Sequence, residues 1–242
     1  NLIEICKQPP AIEEDPYEAL SKLRKLLEVQ DAYRNTLSWT TELARLANHV
    51  VFYVPENPYS VDNYGYPYLM VGTELLPEMG NARRMRIAEC IEEVTDHGAG
   101  LVIDPHRGDD GAGSVIFPFG HTWAVREFGR FPEPGMFTAS AQNVEPRYEF
   151  EEVNSQLLPP FARRAFKNFL EQAYGFQNSQ VCIQRNVHDK EDVVFVFNLL
   201  DFSPEQAKLE SIMSGLFWFC RHGRSLGACK TDRESKEWLK PL

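Results

Sequence analysis

The sequence is short of the features that declare a setting or a chemistry. None of its apolar runs reaches about 18 residues, the length a helix needs to cross a bilayer. A membrane-spanning helix is therefore not expected, and no secretory apolar segment stands within the given residues. Its five cysteines, Cys6, Cys90, Cys182, Cys220 and Cys229, are odd in number, and no pair has Cys-x-x-Cys spacing. Cys90, Cys182 and Cys220 sit in apolar runs, where free cysteine behaves as a small buried hydrophobe. Reduced thiols and a cytoplasmic location are the expectation. Basic residues are also in deficit, 25 Lys and Arg against 35 Asp and Glu, for a net charge of −10. Nucleic acid is not an expected partner, because phosphate binding needs a basic surface. An acidic surface suits a protein partner of opposite charge.

Catalytic signatures are equally scarce. There is no Gly-x-Ser-x-Gly, no His-Glu-x-x-His and no Gly-Lys-Ser/Thr phosphate loop. Cys220 and His222 stand two apart at a predicted helix end, where their side chains diverge, so a thiol–imidazole pair is not expected. The acid pairs Glu13-Glu14, Glu92-Glu93 and Glu151-Glu152 point in different directions as sequence neighbours and read as solvated faces. No cofactor and no metal are expected.

What is present supports a fold. Apolar residues make up 43% and aromatics 12%, enough for real cores, and the length suits one large domain or two small ones. Residues 1–14 read as an N-terminal arm. Asp15-Pro16-Tyr17-Glu18 is a helix start, with Asp15 as cap, Pro16 in the first turn and Glu18 closing the box. A second helix is predicted over 32–47. Val50–Val54 and Pro67–Val71 read as strands, with 55–66 as a loop. Asn81 is placed to cap a helix running to Asp96, with Gly98 just beyond its end. Strands 101–103 and 115–117 follow, then a short helix over 122–128. Residues 132–145 are rich in proline and small polar residues and form the predicted linker. Beyond it the pattern restarts as a strand over 147–153, a Pro159-Pro160 helix to Tyr174 and strands at 180–184 and 192–199. A helix opened by Ser203 then runs to Arg221, with Leu209, Ile212, Met213, Leu216, Phe217 and Cys220 inward, and a strand over 225–229 closes the pattern.

The fold class predicted is α+β in two domains, 15–131 and 146–242, each a mixed or antiparallel sheet with helices. The second has the order β-α-β-β-α-β, which matches the ferredoxin-like split plan of two helices on one face of a four-stranded antiparallel sheet.

Two stretches collect side chains able to hold a partner. The loop after Ile103, DPHRGDDGAGS, carries Asp104, His106, Arg107, Asp109 and Asp110. Its aspartates could meet a hard cation and its glycine-rich backbone an anion. It lacks the closing Glu of an EF-hand and the third glycine and helix of a dinucleotide site, and Asp and Gly equally suit a plain hairpin loop. His97 and His121 flank it, so a metal-dependent hydrolase would need these groups to converge. The second stretch gathers Tyr59, Tyr64 and Tyr66 near Phe52, Tyr53 and Tyr68. Tyrosines held at the surface by Pro, Asn and Gly would make a protein-docking patch.

The strand Phe52-Tyr53-Val54-Pro55, a second strand, a helix, and then Gly98-Ala99-Gly100-Leu101-Val102-Ile103-Asp104-Pro105 resemble the N-terminal domain of bacterial SseB-like proteins, named for enhanced serine sensitivity. Asp104 stands where that domain ends its strand in Asn-Pro. Residues 147–229 resemble the family's C-terminal domain, including the Pro-opened helix after an early strand. The resemblance implies no catalytic residues. It implies a cytoplasmic accessory or binding protein of a bacterium that works through protein contacts. An immunity protein neutralising a basic toxin and the hydrolase just described are the alternatives.

Overall fold

The computed structural model describes residues 15–29, 34, 36–105, 114–133 and 147–242. The chain divides into two units, Asn1–Met136 and Phe137–Leu242. The class is α+β, as the sequence predicts.

In the first unit, α1 (Pro16–Leu27) starts where its cap dictates. Asp15 Oδ1 accepts from the amides of Tyr17 at 2.9 Å and Glu18 at 3.1 Å. Its stripe Ala19, Leu23 and Leu27 is buried. α2 spans Leu37–Ala47, capped by Thr36, whose hydroxyl accepts from the Trp39 amide. It starts five residues later than predicted, because Thr36 offers the free amides a cap. The main sheet then forms from β2 (Tyr59–Val61), β3 (Pro67–Val71), β5 (Gly100–Ile103) and β6 (Val115–Phe117), in that spatial order. β3 and β5 are parallel, and the two outer strands are antiparallel to their neighbours. A separate ribbon pairs β1 (Phe52–Val54) with β4 (Arg83–Met85).

Two expectations are corrected here. The predicted 55–66 loop contains β2, which is held by pairing with β3 even though Pro, Asn and Gly surround it. The helix expected from Asn81 begins only at α3 (Ile87–Asp96), because Arg83–Met85 is drawn into β4. Arg86 precedes α3, and its amide donates to Glu89 Oε2 at 2.8 Å. The far end matches the prediction. Gly98 takes φ +66°, a left-handed conformation that glycine adopts without Cβ strain. The amide of Ala99 then returns to Val94 O and that of Gly98 to Thr95 O. α4 (Phe119–Phe128) packs on α3 and β5.

Register decides which face of this sheet is core. Leu69, Val71, Leu101, Ile103 and Phe117 share one face. They pack with buried side chains of α1, α2 and α3. The alternate row, Met70, Val102 and Ile116, is on the other face, half-buried at Met70 and Val102 and 55% exposed at Ile116.

The second unit runs β7 (Tyr148–Glu151), α5 (Pro160–Tyr174), β8 (Gln180–Asn186), β9 (Val193–Phe197), α6 (Gln206–Phe219), β10 (Ser225–Ala228) and β11 (Lys240–Pro241). The chain order β-α-β-β-α-β is therefore present. The split arrangement is not. The strands lie side by side as β10-β9-β8, with β7 and β11 both on the remaining edge of β8. β9 and β10 are parallel neighbours, which makes the sheet mixed. A split plan would interleave the first strand between the third and fourth. Here Arg185 Nε donates to Glu151 Oε1 at 2.9 Å, and the β7–β8 ladder keeps β7 at the edge.

Alternation sorts the strands of this sheet. Val181, Ile183, Phe195 and Phe197 face the helices, where Phe166 meets Phe197 and both Phe166 and Phe169 meet Phe219. Cys182, Val194 and Val196 face the other way, under Trp238 and Leu239 of the closing segment. In α6 the inward residues are Ile212, Leu216 and Phe219, at helical spacing. Phe217, expected inside, falls off that stripe and is 54% exposed. Ser203, expected to cap α6, instead ends a short 3-10 turn, Leu199–Phe202, in a left-handed conformation at φ +45°.

Candidate functional site

Asp104 is the one member of the predicted loop site within the described residues. It is 7% exposed. Its Oδ1 accepts from the Thr73 amide at 2.6 Å and its Oδ2 from the Thr73 hydroxyl at 2.7 Å. Its own amide donates to Val71 O at 2.9 Å. These bonds tie together the ends of the parallel pair β3 and β5 at a non-glycine residue with φ +50°. Both carboxylate oxygens thus serve a buried structural link. His106, Arg107, Asp109 and Asp110 lie outside the described residues.

The flanking histidines meet different partners. His97 caps the end of α3, its Nδ1 2.8 Å from Glu93 O. Its ring stacks on Tyr59, centroids 4.3 Å apart and planes 18° from parallel. His121 meets the edge of Phe117 at 5.5 Å. Among the described residues no three His, Cys, Asp or Glu side chains are grouped to hold a metal ion.

The tyrosine stretch also separates. Asp62 organises its turn, with Oδ1 accepting from the amides of Tyr64 and Tyr66, each at 2.9 Å, and Oδ2 accepting from the Tyr68 hydroxyl at 3.1 Å. Gly65, at φ +88°, supplies the backbone reversal between β2 and β3. Tyr64 stands 77% exposed at the tip, Tyr66 is half-buried and Tyr68 is buried. Tyr59 leans on the core and donates its hydroxyl to Glu93 Oε1 at 3.3 Å. Burial and then the Glu93 charge push its phenol above the ordinary range.

What Tyr59 and His97 border is the outer side of α3, whose acids read from the sequence as a solvated face. Glu89, Glu92, Glu93 and Asp96 are all exposed along it. Arg126 of α4 answers part of this charge, its guanidinium 2.9 Å from Asp96 Oδ1 and 2.6 Å from the Thr95 hydroxyl. The signal that could have found this face is the run Glu89, Glu92, Glu93, Asp96 at helical spacing, opposite the apolar Ile87, Cys90, Ile91 and Val94.

The charge is divided unequally between the units. Residues 1–136 hold 12 Lys and Arg against 21 Asp and Glu, a net of −9, whereas residues 137–242 hold 13 against 14, a net of −1. Two of the buried thiols are muted as well. Burial pushes the Cys90 thiol up to about 11 and the Cys220 thiol up to about 12, so both are protonated near neutrality and poor nucleophiles. No helix among the described residues is long and apolar enough to cross a membrane. No family model matches the chain, and no curated protein or solved structure gives a match.

Proposed function

We propose that the chain is a non-enzymatic binding protein that acts through protein–protein contacts, with a basic partner meeting its first unit. The observation that carries this reading is the charge partition, −9 in residues 1–136 against −1 in the rest. A field of one sign on one unit accelerates encounter with a partner of the other sign and disfavours wrong partners. The outer side of α3 is the contact surface in this reading. Exposed Glu89, Glu92, Glu93 and Asp96 supply the charge, and Tyr59 with its stacked His97 supplies the aromatic border that interface cores favour. The resemblance to SseB-like proteins accords with a cytoplasmic accessory role in a bacterium. The engagement of Asp104 with Thr73 and the protonated Cys90 and Cys220 weigh against a reaction centre.

The test is affinity capture with the full chain from an extract of its source cells, at low and high ionic strength. A basic protein retained in stoichiometric amount at low salt, released at high salt and lost with Glu92→Lys is the expected result. Absence of any stoichiometric partner, or one whose retention ignores both salt and the charge reversal, would overturn the reading.

A further inference from the structure

The sheet of the first unit ends at β2, and main-chain bonds fix which groups of that strand face outward. The Met70 amide donates to Pro58 O at 2.7 Å, and the Asp62 amide donates to Tyr66 O at 3.0 Å. Positions 58, 60 and 62 therefore carry the ladder to β3, because bonded residues alternate along an antiparallel pair. The far side of β3 agrees, since Val71 O accepts from the Asp104 amide beside β5. Tyr59 and Val61 are left with their N–H and C=O groups pointing away from the sheet. Among the described residues nothing hydrogen-bonds to these backbone groups. Ser60 is exposed and Val61 is 63% exposed, so solvent reaches the edge. An open edge of this kind is a template for another extended chain.

Charge selects what kind of chain. Tyr59 lies level with Leu69, on the core face of the sheet, where α3 also packs. Its hydroxyl reaches Glu93 and its ring stacks on His97. Glu89, one turn earlier on α3, shares that side of the helix. Of the charges acting on the Tyr59 phenol, Glu93 is the stronger and Arg83 of β4 the weaker. A second copy of the chain is a poor occupant, since it would bring a unit of net −9 against its like.

We propose that a basic partner docks by adding a strand to β2: an extended segment with lysine or arginine at alternate positions pairs antiparallel to Tyr59–Val61 and turns those side chains toward Glu93 and Glu89. The inference rests on the reading of the first unit as the surface for a basic partner, and adds how that partner is held. Main-chain bonds to Tyr59 and Val61 supply affinity, and the acids of α3 choose the side chains. Antiparallel pairing is the more stable direction per residue.

Register ties the charge of the incoming strand to its hydrogen bonds. A residue set opposite Tyr59 or Val61 exchanges main-chain bonds with it, and its side chain falls on the same face of the sheet. That face is the one with Glu93. The basic residues are therefore the ones whose own N–H groups meet β2. The residues between them turn their N–H groups outward and their side chains to the face of Ser60 and Tyr68.

The probe is a short synthetic peptide of alternating lysine and threonine, titrated against the full chain at low salt and read by fluorescence anisotropy. Two further versions carry backbone N-methyl groups, on every lysine or on every threonine, at unchanged charge. Methylated lysines cannot donate to β2, so that peptide should bind at least about tenfold more weakly than the threonine-methylated one. Val61→Pro removes one outward N–H at an edge position where proline is tolerated, and should weaken the unmethylated peptide at least about threefold. Val61→Thr, which keeps the N–H, should leave its affinity unchanged. The methylated pair uses the unaltered chain, so the test stands even where Val61→Pro unsettles β2. Equal affinity of the two methylated peptides overturns strand addition. If their common binding still falls with salt and with Glu92→Lys, the basic-partner reading stands without it. An unmethylated peptide that does not bind at low salt overturns both.

Discussion

The two units cover their sheets differently. In the second, both faces are sealed, one by the phenylalanines of α5 and α6, the other by the closing segment over Cys182 and Val196. In the first, one face is a large core beneath α1, α2 and α3, while the opposite row runs from half-buried Met70 and Val102 to exposed Ile116. Nearly all of the net charge belongs to the first unit. A sheet sealed on both faces and close to neutral is organised for packing. An acidic unit with a less covered sheet has surface to give to a partner. On that contrast, damage in the second unit should register as lost stability and damage on α3 as lost association.

The largest effect should come from Phe197→Ala. Phe197 is fully buried, pairs with Val181 and meets the ring of Phe166. Deleting such a ring costs about 3–5 kcal/mol. Denaturant unfolding followed by hydrogen exchange should place the loss in β8, β9, α5 and α6. A change below about 1 kcal/mol would mean the aromatic layer is not the stabilising element proposed, since core truncations exceed that.

Asp104 offers the next cut, now in the first unit. Asp104→Ala leaves the buried Thr73 amide and hydroxyl without their acceptors, a loss of about 2–3 kcal/mol. Asp104→Asn keeps an acceptor for the amide, and asparagine tolerates φ +50°, so it should retain most of the stability. Equal losses in the two variants, read from urea midpoints, would show that the charge matters more than the hydrogen-bond geometry.

Charge reversal separates the units by function. Glu92 is exposed on α3, and its side chain has no hydrogen bond among those described, so Glu92→Lys should shift stability by less than about 0.5 kcal/mol. Binding of a lysine-rich peptide, read by fluorescence anisotropy at low salt, should weaken severalfold and become less steep in salt. Glu210→Lys, an exposed position on α6, should change neither. The comparison breaks if the two reversals have the same effect.

Much of this architecture is legible in the residues. Asp15-Pro16, Gly98 and Pro159-Pro160 fix ends of helices by capping and backbone restriction, and the runs 101–103, 115–117 and 193–197 are apolar enough to be strands wherever they fold. The strands that escape are those defined by a partner. Arg83–Met85 has no apolar alternation and is a strand because β1 lies beside it. Tyr59–Val61 is set by Asp62, which turns the chain back on β3. Lys240–Pro241 is set by the edge of β8. The candidate surface escaped for a related reason. In the sequence the acids of α3 are an ordinary wet face; in the fold Tyr59, brought in by β2, stacks on His97 beside them. Asp104 looks like a possible ligand in the sequence because no local pattern links it to Thr73, 31 residues earlier in the chain.

The smallest expected effect is a pH response of the closing segment. Burial acts to raise the Asp201 carboxyl, but hydrogen bonds from the Thr231 hydroxyl and amide and from Asn198 outweigh it and hold the group below its ordinary value of 3.8. A folded-state value depressed in this way means that the unfolded chain binds the proton more readily. The stabilisation is therefore fully present above the ordinary value and is lost as pH falls through the folded one. Asp232, held down mainly by the Ser235 amide and hydroxyl, acts in the same direction at the next turn of the segment. Because both groups are largely solvated, the global stability should barely move. The segment should instead loosen first. Amide exchange at Thr231 and Ser235, measured from neutrality down to about pH 3, should accelerate relative to the amides of β8 once the intrinsic rates are divided out. The Asp201→Asn variant should show the looser segment already at neutral pH and little further change on acidification. Uniform exchange across the segment and β8 at every pH would place the covering segment inside the same cooperative core, and the two faces of the second sheet would then be equally firm.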